Sequence, residues 1–386
     1  MATTGYSTRA VRSARAGRSG SSPWRNLDLV LLASVLCLSG IGVLMVYSST
    51  RQKQLAAGLD PKNYLKRQAL FVALGLGVML LTLLVDYRAL RDVAPVLWVG
   101  TILVLLVVLT PLGSSTRGSQ AWFQVGPLNL QPSEMAKVVV IIVLAAYLSV
   151  HRGDLDTPQI VTALGLAALP MVLIYVQPDL GTDMVFVAVL MGLLLVAGAK
   201  PRHIAALTAL GVVGVVAVFQ LGILKTYQLD RLSAFLDPAG DTQRSAYNLR
   251  QSQIAIAAGG VTGKGVFRGT QTNLSFVPEQ HTDFIFTAVG EELGFIGAST
   301  LLALFGLVLW RTWRAASLAK DEFGTLLCVG VLAMLLFQIF ENVWMTMGIT
   351  PITGIPLPFV SYGGSALISC FAGIGLVLNV HMHRYG

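Results

Sequence analysis

Apolar residues occur along this chain in long blocks rather than in alternation with polar ones. Such blocks lie near 28–48, 69–85, 93–112, 134–150, 158–176, 182–199, 203–223, 284–310, 323–347 and 365–381. At 1.5 Å per residue, a helix of about 20 residues crosses the roughly 30 Å hydrocarbon core of a bilayer. Backbone groups in lipid must be satisfied within the segment, and these blocks lack the two-residue alternation of a membrane barrel. The pattern therefore predicts an all-α integral membrane protein of about ten transmembrane helices. Its one long connection, 224–283, falls between the seventh and eighth.

Composition agrees. Mean hydropathy is +0.71, and only 12% of residues are charged, against about a quarter in soluble domains. Residues 1–27 depart from the pattern, with Arg9, Arg12, Arg15, Arg18 and Arg25 set among Ser, Thr, Gly and Ala. They predict a disordered basic tail ahead of a membrane domain over 28–386. The 28–48 block is too long for a signal-peptide core and no clean small-x-small cleavage site follows, so it reads as the first membrane anchor. The tail arginines and an even span count place both termini in the cytoplasm and 224–283 outside. Cys37, Cys328 and Cys370 sit in apolar blocks and imply neither disulfide nor metal.

That orientation puts many cations outward, among them Arg51, Lys53, Arg67, Arg231, Arg250, Lys264 and Arg268. They form either a surface for an anionic headgroup or ordinary snorkelling side chains. Within 224–283, AYNLRQSQIAIAAGG can form a short interfacial helix. GGVTGKGVFRG, carrying Lys264 and Arg268, offers either a nest of N–H groups for phosphate oxygens or a plain flexible loop. Its spacing misses the P-loop pattern.

Charged residues at the block edges carry the candidate chemistry. In QPSEMAK, Pro132 suits a helix start and Glu134 and Lys137 stand three apart on one face, as a structural ion pair or a cavity wall. In QPDLGTD, Asp179 or Thr182 can cap the sixth span. In VPEQHTDFIFTAVGEELGF, Asp283 stands at the first turn of the eighth span, where capping alone could explain it. Glu291 and Glu292 lie about 12 to 14 Å further along the helix, which calls for an aqueous pocket on the outer side.

GTQTNLSFVPEQHTDFIFTAVGEELG, LQPSEMAK, QPDLGT and GIPLPFVSYGGSALI, in that register from about residue 28 to 381, closely resemble the SEDS family. These are the ten-span bacterial cell-wall polymerases that include RodA, FtsW and SpoVE. The first and last motifs look more like RodA, while the long basic tail is more usual in FtsW. The resemblance implies a peptidoglycan glycosyltransferase that polymerises lipid II on the outer face of the bacterial cytoplasmic membrane during elongation and cell-shape maintenance. It carries the essential acid onto Asp283, and positions lining or supporting the cavity onto Trp122, Glu134, Lys137 and Ser361, Tyr362, Gly363 and Gly364. His281 lies in the same motif as the acid.

The chemistry is compatible. Pyrophosphate leaves readily, so one base for the attacking hydroxyl and cations for the departing phosphates suffice. Asp283 is the expected base. Cations are expected from a subset of Arg51, Lys137, Arg250, Lys264 and Arg268, with a divalent ion such as Mg or Mn as a possible cofactor. The implied partners are lipid II and undecaprenyl-linked glycan, a class B penicillin-binding protein, and other membrane proteins of the elongation complex. Nothing points to nucleic acid. A lipid II flippase and a septal polymerase are the alternatives.

Overall fold

The computed structural model describes residues 23–116, 119–126, 128–153, 155–220 and 244–385, with Leu229, Arg231 and Phe235. The expected disorder of 1–22 and most of 224–243 lie outside the described residues. Seven helices come first: α1 (Leu29–Ala56), α2 (Asn63–Leu84), α3 (Tyr87–Val108), α4 (Pro132–Val150), α5 (Thr157–Val176), α6 (Leu180–Ala197) and α7 (Pro201–Gln220). Then follow α8 (Arg244–Gly259), α9 (Thr270–Asn273), α10 (Ile285–Ser317), α11 (Glu322–Met347) and α12 (Gly364–Met382). Among the described residues nine helices, α1 to α6 and α10 to α12, are long and apolar enough to cross a membrane. The remaining expected span is occupied by α7, of 20 residues.

The most buried spans are α12, α4 and α11, whereas α3 is mostly exposed. Helices apolar on every side belong at the centre of such a bundle. Close approach needs small residues: a methyl on Gly75 of α2 would lie 2.3 Å from the Phe371 ring of α12. Four spans begin on carboxylate caps, Asp28 accepting from the Leu31 N–H, Asp86 from Arg88, Asp179 from Thr182 and Asp321 from Gly324. The QPDLGTD corner is thus capped by Asp179, one of its two expected candidates.

Several expectations shift. The folded region starts before residue 28, because Pro23–Asn26 forms a 3-10 turn and Asn26 Nδ2 donates to the Met382 carbonyl at 3.5 Å. The 113–133 connection contains a three-stranded antiparallel meander, β1 (Ser114–Thr116), β2 (Ser119–Val125) and β3 (Leu128–Leu130). The Gly-rich neighbourhood of 259–269 also proves to be ordered protein rather than a free loop.

Most consequential is the eighth expected block. Helix α10 extends to Ser317 and is broken at Gly294, whose φ of 65° and ψ of −164° are not helical. A Cβ there would lie 2.2 Å from the Gly263 nitrogen, so glycine is required for both backbone angle and space. The backbone groups released by the break are taken up by the 259–265 segment. Phe295 N–H donates to the Gly260 carbonyl (2.9 Å) and Ile296 N–H to Val261 (3.1 Å). In return Lys264 and Gly265 N–H groups donate to the Glu291 and Glu292 carbonyls (3.0 and 2.9 Å). Irregular backbone within a membrane protein persists where neighbouring protein satisfies it.

Candidate active site

Asp283 lies in a tight turn, its N–H donating to the Glu279 carbonyl at 3.2 Å. The cap position of α10 falls on Phe284, with no side-chain cap hydrogen bond. Capping therefore does not account for the acid. Asn342, fully buried in α11, donates from Nδ2 to the Asp283 carbonyl and to the Ile355 carbonyl, both at 2.8 Å. One amide thus pins the Asp283 turn against the proline-rich segment before α12. A point one Cβ bond from Gly354 lies 3.5 Å from Asp283 Oδ2 and 3.9 Å from both Arg231 terminal nitrogens. Arg231 Nη1 donates to the Ile352 and Thr353 carbonyls (3.2 and 3.1 Å). An acid and a guanidinium therefore face one spot beside Gly354.

Next to it stands an aromatic wall. The His281 ring lies 5.0 Å from Tyr64 and 5.6 Å from Tyr362, and Tyr362 N–H donates to the His281 carbonyl at 2.9 Å. Burial raises the Tyr362 phenol above its ordinary value, against the opposing hydrogen bond and charge of Arg67. Ser361 supports the turn, its Oγ accepting the Leu357 N–H (2.8 Å) and its carbonyl accepting Gln68 Nε2 (3.1 Å). Gly363 then occupies the N-cap position of α12. His281, Asp283, Ser361, Tyr362 and Gly363 therefore belong to one neighbourhood.

Glu134 and Lys137 pair at 2.7 Å, with side chains only 6% and 2% exposed. Ser369 Oγ of α12 also donates to Glu134 Oε2 at 3.2 Å. The start of α4 is tied to α6 by Gln131 Nε2 and Ser133 Oγ, both on Asp179 Oδ2 (2.9 and 3.1 Å). Trp122 sits half-buried in β2, opposite Ser114 in the ladder.

The glycine-rich nest does hold an anion, but the anion belongs to the protein. Glu291 Oε1 accepts from Lys264 Nζ (3.1 Å), Thr270 Oγ1 (3.2 Å) and the Gln271 N–H (2.8 Å). Its Oε2 accepts from the Thr272 N–H (2.9 Å) and Oγ1 (2.8 Å). Glu292 is held by Ser48 Oγ at 2.6 and 2.8 Å and by the Phe267 N–H at 3.2 Å. Both carboxylates are fully buried, so they staple a loop to a broken helix and do not line an aqueous pocket. Lys264 is correspondingly engaged in this staple and is not an uncommitted cation for pyrophosphate. Arg268 and Arg250 are exposed, on the loop and on α8.

Sequence reasoning did not single out Arg231 or Asn342. Arg231 was visible only as one cation among many, and Asn342 only as a polar residue within an apolar block. Among the described residues no cluster of three His, Cys, Asp or Glu gathers to hold a metal. A Mg ion is ordinarily held by one or two carboxylates together with substrate phosphates, a set to which Asp283 could contribute one oxygen donor. No step is assigned to such an ion.

The family described as FTSW_RODA_SPOVE, Cell cycle protein, matches residues 28–386. The chain belongs to that family. Stage V sporulation protein E of Bacillus subtilis is 36% identical over 362 residues, 93% of this chain and 98% of the relative. Peptidoglycan glycosyltransferase MrdB of Escherichia coli is also 36% identical over 362 residues, covering 93% and 94%. Among solved structures, RodA of Thermus thermophilus superposes with a TM-score of 0.70 at 30% identity, covering 94% and 99%. A chain of a peptidoglycan synthase complex that coordinates polymerisation and crosslinking superposes with 0.78 at 32%, covering 93% and 98%. This SEDS chain is thus a multi-pass membrane protein.

Proposed function

We infer that this SEDS chain is a peptidoglycan glycosyltransferase that polymerises lipid II into glycan strands on the outer face of the cytoplasmic membrane. Both termini then lie in the cytoplasm. The observation that carries the reading is the placement of Asp283: not used as a helix cap, held by its backbone through Asn342, and facing Arg231 beside Gly354. Asp283 acts as the general base. Its carboxylate takes the proton of the incoming 4-hydroxyl as that oxygen attacks the anomeric carbon, and the bond to undecaprenyl pyrophosphate breaks in the same displacement, inverting the centre. Arg231 supplies charge for the departing phosphates, a role for which a fixed guanidinium fork is suited. The Glu134–Lys137 pair stiffens the interior wall, and His281, Tyr64 and Tyr362 offer flat faces on which sugar rings can lie.

The relatives bear names from both the elongation and the division branches at similar identity. The elongation assignment rests on the VPEQHTDF and GIPLPFVSYGG motifs. Depletion in a rod-shaped host should round the cells; filaments would assign the chain to division instead. A class B penicillin-binding protein is the proposed partner, contacting the exposed Phe295 of α10 and Phe340 and Trp344 of α11.

The deciding experiment supplies purified protein with lipid II in detergent. Wild type should make glycan polymer and Asp283→Asn none, with unchanged thermal stability. Movement of lipid II across vesicles without polymer would replace the polymerase with a flippase.

A further inference from the structure

At the opposite end of the bundle from the Asp283 site lies a cavity of about 340 Å³, lined by Asp28, Arg311, Arg314, His381, Arg384 and Tyr385 among others. It forms where α1 begins and where α10 and α12 end, so it belongs to the face on which the first and last described residues lie. Its charges are unevenly matched. Asp28 Oδ2 accepts from Arg311 Nε at 2.7 Å, while its Oδ1 accepts the Leu31 N–H at 3.0 Å. That acid is fully occupied by one arginine and a helix cap. Among the described residues, no carboxylate pairs with Arg314 or Arg384. Arg384 Nε is buried without an acceptor, and its Nη1 lies against the His381 ring. A buried N–H without a partner is costly, so the cavity as built is short of an anionic oxygen.

The bilayer is placed by two tryptophans. Trp310 and Trp313 are 54% and 52% exposed on the last turns of α10, the level at which such rings meet lipid headgroups. The Arg311 and Arg314 guanidinium carbons stand 5.5 and 6.0 Å from the Trp310 ring centroid. Two arginines with no carboxylate partner among the described residues, beside a cavity at headgroup depth between helices, suit a phosphate whose acyl chains stay in the leaflet.

We propose that this cavity is a binding site for the phosphate headgroup of an anionic phospholipid from the leaflet at the start of α1 and the ends of α10 and α12. Arg314 and Arg384 take the phosphate oxygens, Arg384 Nε gains its missing acceptor, and the Arg311–Asp28 pair holds the floor. The lipid then bridges the start of α1 to the ends of α10 and α12, opposite the reaction site.

The test uses the full chain, stripped of lipid in neutral detergent, with thermal unfolding followed on titration. The probes are dioleoyl phosphatidylglycerol, dioleoyl phosphatidylcholine and inorganic phosphate. Phosphatidylglycerol alone should raise the unfolding temperature. Arg314→Gln and Arg384→Gln should each weaken its apparent affinity about tenfold, as expected for loss of one charge-assisted contact, and the double variant should lose the response. Arg91→Gln, an exposed charge outside the cavity, should change nothing. An equal response to phosphatidylcholine would overturn the proposal, and so would an unchanged phosphatidylglycerol response in the variants. An equal response to inorganic phosphate would make this a free-phosphate site and end the lipid assignment. Should Arg384→Gln fold poorly, Arg314→Gln decides alone, since Arg314 is exposed.

Discussion

Asp283 and the Glu291–Glu292 pair lie within ten residues of one another, yet the fold treats them oppositely. Glu291 accepts hydrogen bonds from Lys264, Thr270, Gln271 and Thr272 and is fully buried. Asp283 is half-buried in a turn, its backbone anchored by Asn342 and its carboxylate facing Gly354 and Arg231. Depth in an apolar block does not by itself mark a functional acid. The two glutamates are deeper but hold structure, whereas the shallower aspartate, its turn anchored by Asn342, faces the same spot beside Gly354 as Arg231. An ionisable residue within a span is a functional candidate by default, and here the hydrogen-bond partners reassign two of three.

The sharpest way to break this contrast is Asp283→Asn. The substitution keeps size and backbone anchoring but removes the base, so lipid II polymerisation should fall by about 10² to 10⁴-fold, with thermal stability near wild type. A variant that keeps its rate, or one that loses rate only because it unfolds, would move Asp283 into the same class as the glutamates.

Glu291→Ala should do the reverse. It leaves Lys264, two hydroxyls and the Gln271 and Thr272 N–H groups without their acceptor, and breaking such a buried contact costs about 3 to 5 kcal/mol. The protein should melt earlier in detergent, and whatever remains folded at lower temperature should still polymerise. The Glu134–Lys137 pair tests the same logic within the bundle. Glu134→Gln and Lys137→Met should each destabilise by about 3 to 5 kcal/mol, because each leaves the other buried charge unpaired. The double variant should lose less than the sum of the two, and strictly additive losses would show that they act independently.

Lys264→Ala sharpens the assignment of the glycine-rich segment. Lys264 is 28% exposed and holds Glu291 at 3.1 Å, so its loss should lower stability by about 1 kcal/mol. The KM for lipid II should stay unchanged. A raised KM at constant stability would return the segment to pyrophosphate binding.

Much of the architecture is legible in the linear pattern because membrane helices are specified locally, by length and apolarity. The Glu134–Lys137 pair, three residues apart on one helix, is readable for the same reason. The break at Gly294 is not, because its cause is a loop some thirty residues earlier that must first fold against it. The nest around Glu291 misled for a related reason: glycines and a lysine announce an anion, but only the tertiary fold says whose. Asp283 was found through its motif, yet its setting depends on Asn342 and Arg231, which lie 59 and 52 residues away in the chain. Such spacing leaves no local signal.

The smallest expected effect concerns a third kind of acid, one engaged outside the membrane spans. Asp321 caps α11 through the Gly324 N–H at 2.7 Å and accepts from Arg88 Nε at 3.2 Å and from the Tyr87 hydroxyl. Burial alone would raise its carboxyl, but the Tyr87, Gly324 and Arg88 hydrogen bonds outweigh that and hold it below its ordinary value. Because its folded value is depressed, its contribution is fully present above the unfolded value of about 3.9. It is lost as pH falls through the folded value. Asp321→Asn keeps a competent cap and removes the charge, so the loss at neutral pH should stay below about 1 kcal/mol at this partly exposed, screened position. Stability of the wild type and variant should converge as the solution is acidified below pH about 4, while polymerisation at neutral pH is unaffected. Asp283→Asn should give the opposite signature at neutral pH, with polymerisation lost. If Asp321→Asn instead abolished polymerisation at neutral pH while Asp283→Asn left it intact, the distinction between acids that hold structure and the acid that faces the reaction would fail.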